Sequence, residues 1–298
     1  MWLGNERGHL ADWTTQLWVK ATGRITTLQS SPWLDGPTGK TTGIGLEFFD
    51  EFASEHGLVV RRGTGLIHDF SILSGPAYKL EDIAPGVRDF YQQTADYELD
   101  AWSEWCGIFR PFGRLLAHLF SHRLQQLNVP LSSLDTSQGV TSRILDLVNA
   151  QDGLVRYTAW VRQLLGTRNV LYAGSYSLCT VPAFSGVCVK VVFPLPNGSA
   201  VVIMYPESGS DGSLFLTSAG SGYGSPGFYF TVHDGTRMWV KYVRALQETI
   251  RVYAAGGNQI RADHVVRFWG MTFLRLHYRL RRVSAGEGVA SIESTVKR

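Results

Sequence analysis

The sequence predicts an α+β fold: an N-terminal helical segment packed on a large antiparallel β-meander that curls into a barrel or half-barrel. Three observations lead there. Up to about residue 130 the apolar residues recur at helical spacing, broken by Gly and Pro, whereas from about Thr141 they alternate in β-branched and aromatic runs. Tight-turn pairs such as Asp152-Gly153, Asn197-Gly198, Asp211-Gly212 and Asp234-Gly235 separate those runs, as between hairpin strands. A sheet of many sequential strands twists until it curls, and its apolar face must then be covered. Residues 1–130 therefore read as a helical layer with a short hairpin, and 131–298 as the meander, the two forming one structural unit.

The elements follow in order. A first helix is expected over 10–20 and a second over 46–56, stopped by Gly57. "LVVRRGTGLIHDFSIL" reads as a hairpin turning at Gly63-Thr64-Gly65. A third helix starts after Pro85-Gly86 and runs to Trp105. Val87, Phe90, Tyr91, Thr94, Ala101, Trp102 and Trp105 form its apolar stripe, and Asp89, Asp96, Asp100 and Glu104 an acidic one. A fourth follows Pro111 and ends before Pro130, with Arg114, His118 and His122 opposite its leucines. Strands are expected over 141–150, 154–165, 170–180, 187–195, 199–206, 213–219, 227–233, 236–254 and 259–281. The last is long enough to need a bend, which Gly270 would allow.

Composition narrows the function classes. Hydrophobic residues at 44% and charged residues at 18% describe a globular chain, and a net charge of +3 is too weak to argue for nucleic acid. Nine tryptophans favour large buried surfaces or an aromatic-lined pocket. Cys106, Cys179 and Cys188 show no Cys-x-x-Cys spacing and read as reduced thiols, and no leader pattern opens the sequence, so a cytoplasmic protein is expected.

Motifs give little chemistry. "SPWLDGPTGKTTGIG", 31–45, contains Gly39-Lys40-Thr41, but Leu34 stands where a phosphate loop needs glycine and no strand precedes it, so it reads as a surface turn. His118 and His122 are one helical turn apart without a third ligand, and no metal or cofactor is expected. The basic segment 110–123 could rest weakly on an anionic membrane.

The last strand is the most informative. Val266, Phe268, Leu274, Leu276, Tyr278 and Leu280 make a core face, while Arg267, Trp269, Met271, Phe273, Arg275 and His277 share the other. Trp, Met and Phe in succession between arginines imply a covered surface. With Tyr91 and Trp102 of the helical half they make the candidate ligand site, in which Arg267 or Arg275 pairs an anionic head group. The layout is similar to curled-sheet ligand binders such as lipocalins and helix-grip proteins, folds that host carriers, cyclases and isomerases alike. The expected function is binding of an apolar or amphipathic, possibly anionic, small molecule between sheet and helices. The alternatives are a cofactor-independent isomerase or cyclase using His277, Tyr91 or Asp96, and a peripheral membrane or interaction protein.

Overall fold

The computed structural model describes residues 4–41, 43–107, 140–164, 170–235 and 237–283. Few helices and fourteen strands are found among them: α1 (Leu10–Thr22), α2 (Phe48–Glu55) and α3 (Pro85–Gln92), with β1 (Arg24–Thr26), β2 (Leu58–Arg62) and β3 (Tyr97–Trp105) interspersed. The rest is a meander: β4 (Val140–Asn149), β5 (Val155–Leu164), β6 (Val170–Cys179), β7 (Cys188–Leu195), β8 (Gly198–Ser208), β9 (Leu214–Thr217), β10 (Gly227–His233), β11 (Met238–Tyr242), β12 (Leu246–Ala254), β13 (Gln259–Phe268) and β14 (Met271–Arg282). The expected helix over 111–130, with His118 and His122, lies outside the described residues.

All strands join one antiparallel sheet in the order β2-β4-β5-β6-β7-β8-β9-β12-β13-β14-β3. The long β8 forks. Its first half pairs with β10, which carries β11 and β1, and its second half pairs with β9. The path has two ends, β2 and β3, and no ladder joins them, so the sheet is not a closed barrel.

Both faces of the central strands are buried, which is why β7 and β8 read as near-continuous apolar runs without alternation. On the inner face, Ile144, Trp160, Val191, Met204, Val252, Ala262 and Leu280 join Leu66, Phe90 and Tyr91 in one core. Residues from both limbs of the sheet thus meet over α3. On the outer face, Phe48, Phe49 and Phe52 of α2 pack on Leu145, Leu147, Ala159 and Val161. Trp33 and Leu34 pack on Cys188, Val192, Val201 and Ile203.

Four expectations need correction. The third helix stops at Gln92, and β3 follows it. "YELDAWSEW" alternates strictly, so Glu98, Asp100 and Glu104 share one strand face, opposite Arg281, Arg279 and Arg275 of β14. The stretch 58–73 is not a hairpin, because β2 pairs with β4 and the chain then runs irregularly toward α3. Gly270 marks a hairpin turn rather than a bend, and 236–254 is likewise broken, at Val243 to Ala245.

The glycine-rich loop 31–45 is structural. Gly39 donates its N–H to the carbonyls of Leu195 and Gly198, and Lys40 is held by Glu51 at 3.0 Å and Glu55 at 2.7 Å on α2. Cys179 and Cys188 face each other in register on β6 and β7 as free thiols, pushed by burial to about 11 and about 12.

His68 bonds Asp146 of β4 at 3.1 Å and Thr158 of β5 at 3.2 Å, tying the loop after β2 to the sheet. The bond to Asp146 raises the imidazole pKa against its desolvation. A raised folded-state value means that this contribution is fully present below about pH 6.5 and is lost as pH rises through the raised value. Melts of His68→Gln should therefore lie below wild type under acid conditions and converge with it at alkaline pH. Parallel curves across that range would show that the charge is immaterial.

Candidate functional site

The inner face of the sheet encloses a cavity of about 370 Å³, within the range of about 300–1,000 Å³ usual for small-molecule pockets. Its wall is contributed by β3, β5–β8, β10 and β12–β14, with Leu66, Phe90 and Tyr91 of the α3 region at one end. Alternation explains the composition. Every second residue of β13 and β14, namely Ala262, His264 and Val266, then Leu274, Leu276, Tyr278 and Leu280, points inward.

Inside this apolar wall stands a small polar group centred on Arg162 of β5, which is only 5% exposed. Its guanidinium lies 4.1 Å from the Trp160 ring centre, 4.2 Å from Tyr172 and 5.5 Å from Tyr278. It donates a hydrogen bond to the Tyr278 hydroxyl, but its buried Nε has no partner. Among the described residues no carboxylate forms an ion pair with it. A cation this buried normally has a counter-ion, since desolvation costs it several kcal/mol in about any protein interior. Three aromatic faces replace part of that solvation.

The neighbouring tyrosines are neutral donors. Tyr172 donates to Tyr176 at 3.0 Å. Burial holds the Tyr172 hydroxyl well above its ordinary range and pushes Tyr176 up to about 12, the positive charge of Arg162 opposing the rise at both. Across the cavity wall, His264 Nε2 and Glu248 Oε2 are 2.8 Å apart, Glu248 being 7% exposed. This pair and Arg162 give the cavity both an anion acceptor and an acid–base pair.

The residues expected from sequence divide between two surfaces. Tyr91 lines the cavity, and Trp102 borders it, although the Trp102 indole alternates outward and stacks on His277 at 5.7 Å. Arg267, Trp269, Met271, Phe273, Arg275 and His277 are not in its wall. The two faces of β14 divide as expected, but the cavity lies against the core face holding Leu274, Leu276 and Tyr278, and the arginines fall outside. There they meet β3 in a ladder: Arg275 with Glu104, Arg279 with Asp100 and Arg281 with Glu98, while His277 bonds Asp263 at 2.7 Å. Asp96 is likewise engaged, by Arg282.

Arg162, Glu248 and His264 were missed. The one signal is a charge inside an apolar run, "TAWVRQLL", but Lys190 in "CVKVVF" carries the same signal and points outward, to the Asp35 carbonyl at 2.6 Å. The ladder arginines allow a test. Arg275→Gln and Arg281→Gln should both leave ligand affinity unchanged and cost less than about 1 kcal/mol, as exposed pairs do. A selective loss of ligand binding in Arg275→Gln would return the site to the outer face.

No family model and no solved structure matches the chain. It is similar to the uncharacterized membrane protein YndJ of Bacillus subtilis (strain 168), with 28% identity over 244 residues, 81% of this chain and 42% of the relative. The chain thus spans less than half the length of the curated relative it matches. That relative overturns the expectation of a cytoplasmic protein, because most of this chain aligns with a protein named for a membrane. Among the described residues no helix is long and apolar enough to cross one.

Proposed function

We propose that this chain binds an amphipathic, anionic small molecule within the concavity of its sheet, which acts as a half-barrel. The observation that carries the reading is Arg162, a buried cation with no carboxylate ion pair among the described residues, facing a largely apolar cavity. An anionic head group would take the missing counter-ion's place, and the tail would lie among Phe193, Met204, Ile250 and Leu276. The relative's name suggests that the chain works beside a membrane, a natural source of such molecules.

The test is native mass spectrometry and solvent extraction of the purified full chain, followed by titration with a fluorescent anionic amphiphile. A retained or saturable one-to-one anionic ligand is expected. A protein that neither carries nor takes up such a molecule overturns the reading.

The pair Glu248–His264 in the same wall favours a second reading, a cofactor-independent isomerase or cyclase. A base and a fixed cation in one apolar cavity suit proton transfer next to an anionic group. His264→Gln should then keep the ligand and abolish its conversion, followed by deuterium uptake from solvent into the extracted molecule. Equal deuterium uptake in wild type and variant would remove this reading and leave binding alone.

A further inference from the structure

The hairpin between β13 and β14 turns on Trp269 and Gly270, both in the left-handed region at φ 47° and 78°. A two-residue turn of this kind favours Asn-Gly, because a bulky side chain is strained at positive φ. Trp269 is nonetheless 74% exposed, and Met271 beside it 49%. Neither turn geometry nor packing accounts for an indole there. The backbone holds it out firmly, since Trp269 donates its N–H to the Ala245 carbonyl at 2.8 Å and its ring sits 4.4 Å from that of Phe268.

The surroundings are basic. Arg244 is exposed in the loop that receives this hydrogen bond, and Arg267 flanks the tip. Lys241, just before that loop, lies 6.0 Å from the ring of a second exposed indole, Trp18 of α1. None of the three cations forms an ion pair with a carboxylate among the described residues, although Lys241 donates to the Thr22 carbonyl at 3.0 Å. Both indoles are one step from the cavity. Trp18 meets Phe230, a wall residue, edge-on at 5.9 Å, and Phe268 is paired with Leu246, another wall residue.

From the strained exposed indole and the nearby cations that form no carboxylate ion pair, we infer that the Trp269 hairpin tip, with Trp18, is a contact surface for an anionic lipid bilayer. Indoles partition to the headgroup layer, where an apolar ring and a wet edge are both satisfied, and Lys and Arg beside them are attracted to anionic lipid. The contact goes beyond the cavity reading and stands without it.

The experiment is co-sedimentation of the full chain with vesicles of phosphatidylcholine alone and with added phosphatidylglycerol. Binding should be stronger on the anionic vesicles, by about tenfold, and should weaken with salt. Trp269→Asn should lose about fivefold or more of that binding while melting no lower than wild type, because Asn-Gly suits the turn. Arg244→Gln with Arg267→Gln should lose the preference for anionic lipid and leave the turn intact. Three results overturn the proposal: no sedimentation of wild type, sedimentation indifferent to lipid charge and salt, or unaltered binding by Trp269→Asn. A lower melting temperature for Trp269→Asn would also overturn it, because the indole would then serve the fold. Arg162→Met should sediment like wild type, so failure of the cavity reading and failure of this one are separable.

Discussion

Arg162→Met is expected to weaken an anionic amphiphile by about 10- to 100-fold, with a change of less than about 2 kcal/mol in the stability of the ligand-free protein. The two effects have different origins. A charge-assisted hydrogen bond in a dry site is worth about 1.5–3 kcal/mol, and each 1.4 kcal/mol is about tenfold in affinity. Without ligand, the variant loses ring contacts to Trp160, Tyr172 and Tyr278 and the bond to the Tyr278 hydroxyl. Against that, it removes a buried charge whose Nε has no partner, and methionine fills much of the same volume. Arg162→Lys should fall between the two, keeping charge but losing the planar fork that stacks and pairs at once. Affinity should also stay flat as pH rises toward about 10, the ordinary tyrosine range, because burial keeps Tyr172 and Tyr176 protonated beyond it. Titration calorimetry with the extracted ligand, beside thermal melts of the ligand-free proteins, measures both effects. Equal affinities for wild type and Arg162→Met would remove the arginine from the site.

The meander was legible because its signals are local. Asn197-Gly198, Asp211-Gly212 and alternating runs depend only on neighbours in sequence, and β10 spans the expected residues, 227–233. What failed depended on partners far away. In β3, Ala101, Trp102 and Trp105 also satisfy part of a helical stripe. Only the arginines of β14, more than 170 residues later, fix the strand by pairing with Glu98, Asp100 and Glu104. Gly270 reads as the place of a bend because the run 259–281 is too long for one straight strand. Trp269, Met271 and Phe273 imply a cover and so place the ligand on the arginine face, whereas the cavity lies against the core face. The polar centre was harder still. Arg162 and Lys190 sit in similar apolar strands, and whether the charge meets the cavity or the outer loop is set by sheet curvature, which no short window contains.

Gly198→Ala is expected to destabilise the protein by about 3 kcal/mol, the upper end of the usual cost of overpacking. A Cβ at Gly198 would lie 1.9 Å from the Thr231 carbonyl oxygen on β10, a clash with backbone that no rotamer relieves. The strand cannot simply move away, because the hairpin is clamped on several sides. Asn197, at φ 60°, exchanges two hydrogen bonds with the backbone of Glu6, and Gly39 donates to the carbonyls flanking the turn. On the other side the His233 N–H donates to the Asn197 carbonyl at 2.7 Å. Separating β8 from β10 therefore disturbs the N-terminal segment, the glycine-rich loop and the fork of the sheet together. For a chain of this size about 3 kcal/mol lowers the melting temperature by roughly 6–12 °C. Gly222→Ala is the matched control, since nothing lies within 4 Å of its added methyl group, and it should melt within about 1–2 °C of wild type. The two substitutions add the same methyl group, so the difference between their melts measures the close approach of β8 and β10 directly. Equal melts would mean that these strands are not packed as tightly as the fork requires.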